Sequence, residues 1–163
     1  MPIYQILPTT KDLDNRIYEV AASLHVVPRR EAPWKGGNAF QYDKSDECMA
    51  LGREYFKESW SVVQQVVEEV KLERPKNVPT VLLQQKGWLS TALNETGVII
   101  PIRNSTDTFE KDSIDVKTAE GVDCIKLAPH EMIVLESNVR FKVSDRVPFE
   151  LILHPTSPIR KVE

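Results

Sequence analysis

The sequence predicts an α+β fold: a helical N-terminal half, with helices near residues 10–24 and 46–72, packed on a C-terminal antiparallel β-sandwich or jelly-roll-like unit over about residues 97–155. Three observations predict it. Apolar residues in the first half recur at spacings of three and four, the period of a helix face. From Gly97 onward they fall instead into short runs broken by turn residues, and Val139, Phe141 and Val143 alternate with Arg140 and Lys142 as a half-buried strand requires. The composition of the 163 residues, 41% hydrophobic and 28% charged, is that of a chain able to bury a core. Two regions follow, a helical one over 1–96 with an irregular aromatic-bearing arm at 25–45, and a β unit over 97–163, sharing one core.

Tyr4, Ile6 and Leu7 read as a short strand. Thr10 then offers a capping hydroxyl, Asp12 and Asp14 suit a helix N-terminus, and Leu13, Ile17, Val20, Ala21 and Leu24 form one apolar stripe. From Val26 to Lys44 two prolines and two glycines leave no sustained period, which predicts a long irregular segment. Ser45-Asp46-Glu47 opens the longest helix. Phe56, Trp60, Val63, Val67 and Val70 give it a heptad-like seam, and Glu54, Glu58, Gln65, Glu69 and Glu73 a solvated face, until Arg74-Pro75 stops it. Pro79 to Lys86 reads as a short helix begun by proline, ended at Gly87-Trp88. Strands are expected at 97–103, 113–118, 122–127, 131–136, 139–143 and 148–154. Their charged outward positions, Lys126, Glu136, Arg140, Lys142 and Glu150, mix both signs and make no single-sign patch.

A formal net charge of -3 gives no bulk attraction to nucleic acid or anionic lipid. There is no basic and apolar leader after Met1, and no run of roughly eighteen apolar residues, so synthesis in the cytoplasm without export or membrane insertion is expected. Cys48 and Cys124 lack CxxC spacing and read as two buried thiols. His25, His130 and His154 have no partner at metal-ligand spacing. His130 belongs to an exposed turn and His154 ends a strand, so neither a metal nor another cofactor is implied. Trp34-Lys35-Gly36-Gly37 lacks the frame of a phosphate loop, and no nucleophile motif is present. Asn94 and Asn104 match a glycosylation pattern that matters only in a secreted chain.

With no chemical signature, the working surface is expected in the segment from Pro28 to Tyr42, where Arg29, Arg30, Trp34, Phe40 and Tyr42 form a candidate interface of large aromatic and cationic groups. This favours a non-catalytic structural or assembly protein. Its partners would be copies of itself or other protein subunits, as in a homo-oligomer, a virus particle or another multi-subunit complex. Asp112 to Val116, Leu127-Ala128-Pro129-His130-Glu131 and His154 to Arg160 loosely resemble motifs of the dUTPase and dCTP deaminase superfamily, with His130 in place of the turn glycine and Pro158 inside the serine motif. That resemblance implies the alternative, a nucleotide-binding or nucleotide-hydrolysing β protein with Asp115, Ser157 and Arg160 facing the nucleotide.

Overall fold

The computed structural model describes residues 3–34 and 36–159. Of these, 44% lie in strands and 24% in helices, which corrects the expected helical half packed on a sandwich: strands from both halves of the chain build the sheets.

The helices start where side-chain oxygens can satisfy free backbone donors. Strand β1 (Tyr4–Pro8) leads into α1 (Lys11–Ser23), whose N-cap Thr10 accepts from the Leu13 N–H. Helix α2 (Asp46–Glu54) begins likewise, with Ser45 accepting from the Cys48 N–H. The expected helix to residue 72 ends earlier. It widens into a π turn at Tyr55–Ser59, where the Trp60 N–H bonds the Tyr55 carbonyl, resumes as α3 (Trp60–Val66), and gives way to β4 (Val70–Leu72). Gln64 makes this transition. Its amide donates to the carbonyls of Val67 and Val70 while its Oε1 accepts from the Leu72 N–H, so one side chain serves backbone groups that a helix would have paired.

The segment expected to be irregular is a β-hairpin. Strands β2 (Arg29–Trp34) and β3 (Gly37–Tyr42) pair from Arg29 opposite Tyr42 to Trp34 opposite Gly37. Strand β3 pairs in turn with β5 (Thr80–Gly87), the stretch expected to be a short helix. A Cβ at Gly87 would meet the Gly36 carbonyl oxygen at 2.2 Å and the backbone there has φ +72°, so the hairpin tip closes on β5 only over a glycine.

The remaining strands are β6 (Leu89–Ser90), β7 (Glu95–Pro101), β8 (Ser113–Thr118), β9 (Gly121–Lys126), β10 (Glu131–Leu135), β11 (Arg140–Val143) and β12 (Phe149–Pro158). The larger sheet runs β1-β10-β7-β12-β5-β3-β2, with β4 pairing the far end of β12; the smaller runs β6-β11-β8-β9. Strands β5 to β12 thus divide between two facing sheets, a jelly-roll arrangement that begins near Thr80 rather than at residue 97.

The larger sheet is buried on both faces. Leu82, Ile99, Ile133, Phe149 and Leu151 face the smaller sheet and pack with its Ile114, Val116, Phe141 and Val143. Val81, Val98, Ile100, Val134 and Ile152 face the helices and pack with Leu13, Ile17, Leu51, Tyr55 and Val63. The seam read from Phe56 to Val70 therefore covers a sheet.

Phe149 is fully buried and meets Phe141 edge to face, with centroids 6.4 Å apart. Phe149→Ala is expected to cost about 3–5 kcal/mol in urea unfolding. Val122→Ala, on the exposed edge strand β9, should stay within about 0.5 kcal/mol. Equal effects at the two positions would contradict the inter-sheet core.

Candidate functional site

Strand β12 projects Glu150, Ile152 and His154 towards the helices, and two of these three are polar and fully buried. His154 lies among the rings of Tyr55, Phe56 and Trp60, at centroid distances of 5.7, 6.3 and 5.2 Å. Its Nδ1 is 2.8 Å from the Glu73 carbonyl oxygen, which can only accept, so Nδ1 carries the proton; Nε2 then accepts the Tyr55 hydroxyl at 2.7 Å. Burial holds this imidazole below its ordinary pKa of 6.5, in the neutral form these bonds require. The π turn that begins at Tyr55 puts Tyr55, Phe56 and Trp60 around one ring.

Glu150 has no such partners. Its carboxyl is fully buried and neither oxygen has a hydrogen-bond partner in the protein. Tyr55, the nearest strong donor to appear among its electrostatic neighbours, spends its hydroxyl proton on His154. Burial accordingly pushes the Glu150 pKa from 4.5 up to about 8, so the group is a neutral acid at pH 7. Burial, and to a smaller degree Glu150, likewise raise the Cys48 thiol above its ordinary range, which makes it a poor nucleophile.

A cleft of about 420 Å³ opens between one face of α2 and the chain from Arg74 to Pro79. Cys48, Met49, Gly52, Arg53 and Phe56 line its helical wall at the spacing of one helix face. A Cβ at Gly52 would lie 3.7 Å from Glu150 Oε1 and 3.9 Å from Pro79 Cγ. The acid therefore packs behind Gly52, exposes no surface, and is not among the residues that line the cleft. Arg53, Arg74 and Lys76 form an exposed rim, and no ion pair among the described residues involves them. Arg74 is held over the Phe56 ring at 4.6 Å. A larger depression of about 1070 Å³ near Gln64, Lys71 and Ser157 has no buried titratable group in its lining.

The residues singled out from sequence lie elsewhere. Arg29 sits 4.2 Å from the Phe40 centroid and donates to the Tyr42 hydroxyl, and Tyr42 is buried in the helix-side core. Arg30 and Trp34 line a second cleft of about 480 Å³ on the other side of residues 75–79. Asp115 is on β8 of the smaller sheet, while Ser157 lies at the end of β12 and donates to Glu73; Arg160 lies outside the described residues. His130 is exposed in its turn at φ +66°, bonded to Asp14 at 2.7 Å and close to Arg103, and so does not share a site with His154. Of the two cysteines, Cys48 is buried and Cys124 exposed, which corrects the expectation for the second. Glu150, read as an outward charge, is the functional residue sequence reasoning missed. The signal was its place inside Phe149 to Leu153, an otherwise unbroken apolar run of the kind strands buried on both faces carry.

No family model and no curated protein sequence matches the chain. Among solved structures it is similar to a Pseudomonas putida prolyl-4-hydroxylase, at 8% identity and TM-score 0.58 over 95% of this chain and 93% of that one. The likeness is one of fold. It corrects both functional expectations: the fold it shows supports neither a structural or virus-particle component nor the dUTPase-like reading, whose Asp115 and Ser157 lie on different sheets. No helix among the described residues is long and apolar enough to cross a membrane.

Non-haem Fe(II) oxygenases hold the metal on two histidines and a carboxylate. The residues here do not fit such a centre. His25 and His130 are exposed, His154 uses both nitrogens on the helix side of the sheet, and Leu82, Leu89, Ile99, Phe141 and Phe149 fill the space between the sheets. No group of three His, Cys, Asp or Glu among the described residues is placed to share a metal.

Between pH 4.5 and about 8 the unfolded chain gives up a Glu150 proton that the fold retains, so this group makes stability fall as pH rises, by up to about 1.4 kcal/mol per pH unit. Urea unfolding of Glu150→Gln should gain on the wild type across that window and level off above it. A difference independent of pH would show that the acid is ionised in the fold.

Proposed function

We propose that this chain is a small-molecule-binding jelly-roll protein whose site is the cleft between α2 and residues 74–79, and that its ligand is a small organic anion. The observation that carries this reading is a cleft edged by three exposed cations, Arg53, Arg74 and Lys76, with Glu150, a fully buried carboxyl with no protein partner, packed behind its wall at Gly52. A buried polar group left without a partner costs about 1–3 kcal/mol. Such a cost, set beside a concave site with convergent polar groups and a displaced pKa, is the physical mark of a binding site. Three cations without an ion pair among the described residues favour an anionic group on the ligand, and Met49, Phe56, Val78 and Pro79 supply apolar walls for its body.

The hydroxylation named for the Pseudomonas putida protein is not carried to this chain, because the side chains between the sheets and the engaged His154 leave no place for the iron site that such chemistry uses. Fold alone does not transfer an activity.

The test is a thermal-shift screen of the folded chain with short mono- and dicarboxylates and inorganic phosphate. A ligand at about 100 times its Kd stabilises the fold by roughly 2.7 kcal/mol, which is readily seen as a rise in Tm. Arg74→Ala should abolish the shift, and Arg16→Ala, on the exposed face of α1, should leave it unchanged. Absence of any shift, or a shift insensitive to Arg74, would overturn the assignment.

A further inference from the structure

We infer that the second cleft, beside the β2–β3 hairpin, is a saccharide site that takes an acidic oligosaccharide, a short chain of uronic acids in chemical class. This cleft is separate from the one against α2 and lies on the other side of residues 75–79. The strands that line it, β2, β3, β5, β7 and β12, all belong to the larger sheet. Leu151, Leu153 and Pro155 of β12 give it an apolar floor, and its volume of about 480 Å³ suits an organic ligand.

Successive residues of β2 take opposite faces of the sheet. Arg29 lies over the Phe40 ring and donates to the Tyr42 hydroxyl, on the helix side. Arg30 and Trp34 take the other face and line the cleft. Arg30 is exposed and makes no ion pair or hydrogen bond among the described residues, and the same holds for Lys44, between β3 and α2, and for Lys76. Three cations from three separate elements thus converge on one opening, which draws in negative charge.

The rest of the lining asks for more than charge. Glu95, the one acid among its described residues, accepts the Ala92 N–H at 2.9 Å, and its carboxylate can only accept, so it repels a bare anion and suits a hydroxyl. Gln41, Asn77 and Thr80 offer both donors and acceptors, and no hydrogen bond among the described residues uses their side chains. A ligand rich in hydroxyls satisfies that mixture; a plain carboxylate or phosphate, which only accepts, does not. Trp34 is half-buried against the inter-sheet core and adds an indole surface to which the C–H face of a pyranose ring is a fitting partner. Arg30 and Trp34 stand four residues apart on one face, about 13 Å along the strand. That is longer than one pyranose ring, so a ligand that reaches both carries at least two linked rings.

Saturation-transfer NMR and calorimetric titration of the folded chain test this with trigalacturonate against galacturonate, maltotriose and glutarate. Trigalacturonate should bind at least about tenfold more tightly than each of the other three, the worth of one charge-assisted hydrogen bond. Arg30→Ala, at an exposed position that leaves the fold intact, should remove about that factor for trigalacturonate and leave maltotriose unchanged. Trp34→Ala should weaken both saccharides. Arg74→Ala, in the cleft against α2, should alter neither, so a failure of the small-anion reading leaves this site standing. Glutarate binding as tightly as trigalacturonate, with the same dependence on Arg30, would overturn the saccharide. Trigalacturonate binding that is lost in Arg74→Ala and kept in Arg30→Ala, or absent from the folded wild type, would overturn the site.

Discussion

The structure depends on one sheet that is covered on both sides. Strand β12 lies at its centre, between β7 on one side and β5 and then β4 on the other, and it contributes to both cores at once. Phe149 and Leu151 enter the space between the sheets, while Ile152 enters the layer under the helices. Because successive residues of a strand point to opposite faces, the helix layer and the jelly roll cannot be packed independently. A one-residue slip of β12 would drive Phe149 and Leu151 among the helices and Glu150 and His154 between the sheets. The partners of His154, a hydroxyl from the π turn and a carbonyl from the end of β4, exist on only one of those faces. The register is thus set by polar groups as well as by apolar area.

How much of this could be read from the chain depended on whether the determining interaction was local. Thr10 and Ser45 cap the helices they precede, each through its own side chain and a backbone N–H three residues on, and both were legible. Strands β8, β9 and β11 were also legible, because their charged positions alternate with apolar ones where one face meets solvent. The failures share a cause. Val81-Leu82-Leu83 reads equally well as helix or strand because β5 is covered on both faces, and periodicity disappears when no face is wet. The helix that was expected to continue to residue 72 is stopped by Gln64, whose bonds to Val67, Val70 and Leu72 are a tertiary choice that no propensity records. Pro33 and the Gly36-Gly37 pair read as part of a long irregular segment; in the fold they form the tip of a hairpin whose partner strand, β5, is more than forty residues away.

The candidate site was hidden for the same reason. A glutamate in a strand is ordinarily solvent-facing, and alternation assigned Glu150 to the wet side of a two-layer sandwich. A third layer, the helices, converts that side into a second core. Leaving a carboxyl there is expensive: an isolated ion loses several kcal/mol of hydration, and even as a neutral acid it forfeits its hydrogen bonds. A leucine or methionine of similar volume would remove that cost, which is why the position is informative. His154, by contrast, is fully satisfied, and its bonds to Tyr55 and Glu73 explain it as a device that pins the π turn and the end of β4 to the sheet. Two buried polar groups on one strand thus call for different explanations, and only Glu150 is left unsatisfied.

The comparison with a hydroxylase fold sharpens that distinction. A jelly roll has two places to put chemistry, the cavity between its sheets and whatever its outer elements create against the larger sheet. In this chain the first is closed by large apolar side chains, with Phe109, Phe141 and Phe149 all buried there. That packing stabilises the fold, and the polar side chain buried between the sheets, Gln84, is engaged, donating to the Gly87 carbonyl and accepting from the Val143 N–H. In the second, Glu150 is buried without a partner behind Gly52, and Arg53, Arg74 and Lys76 make no ion pair among the described residues. The shared fold and the unlike interior are compatible, because a function resides in the groups a scaffold presents and not in the order of its strands. Here the partnerless acid faces the helices, on the side of the sheet that alternation had assigned to solvent.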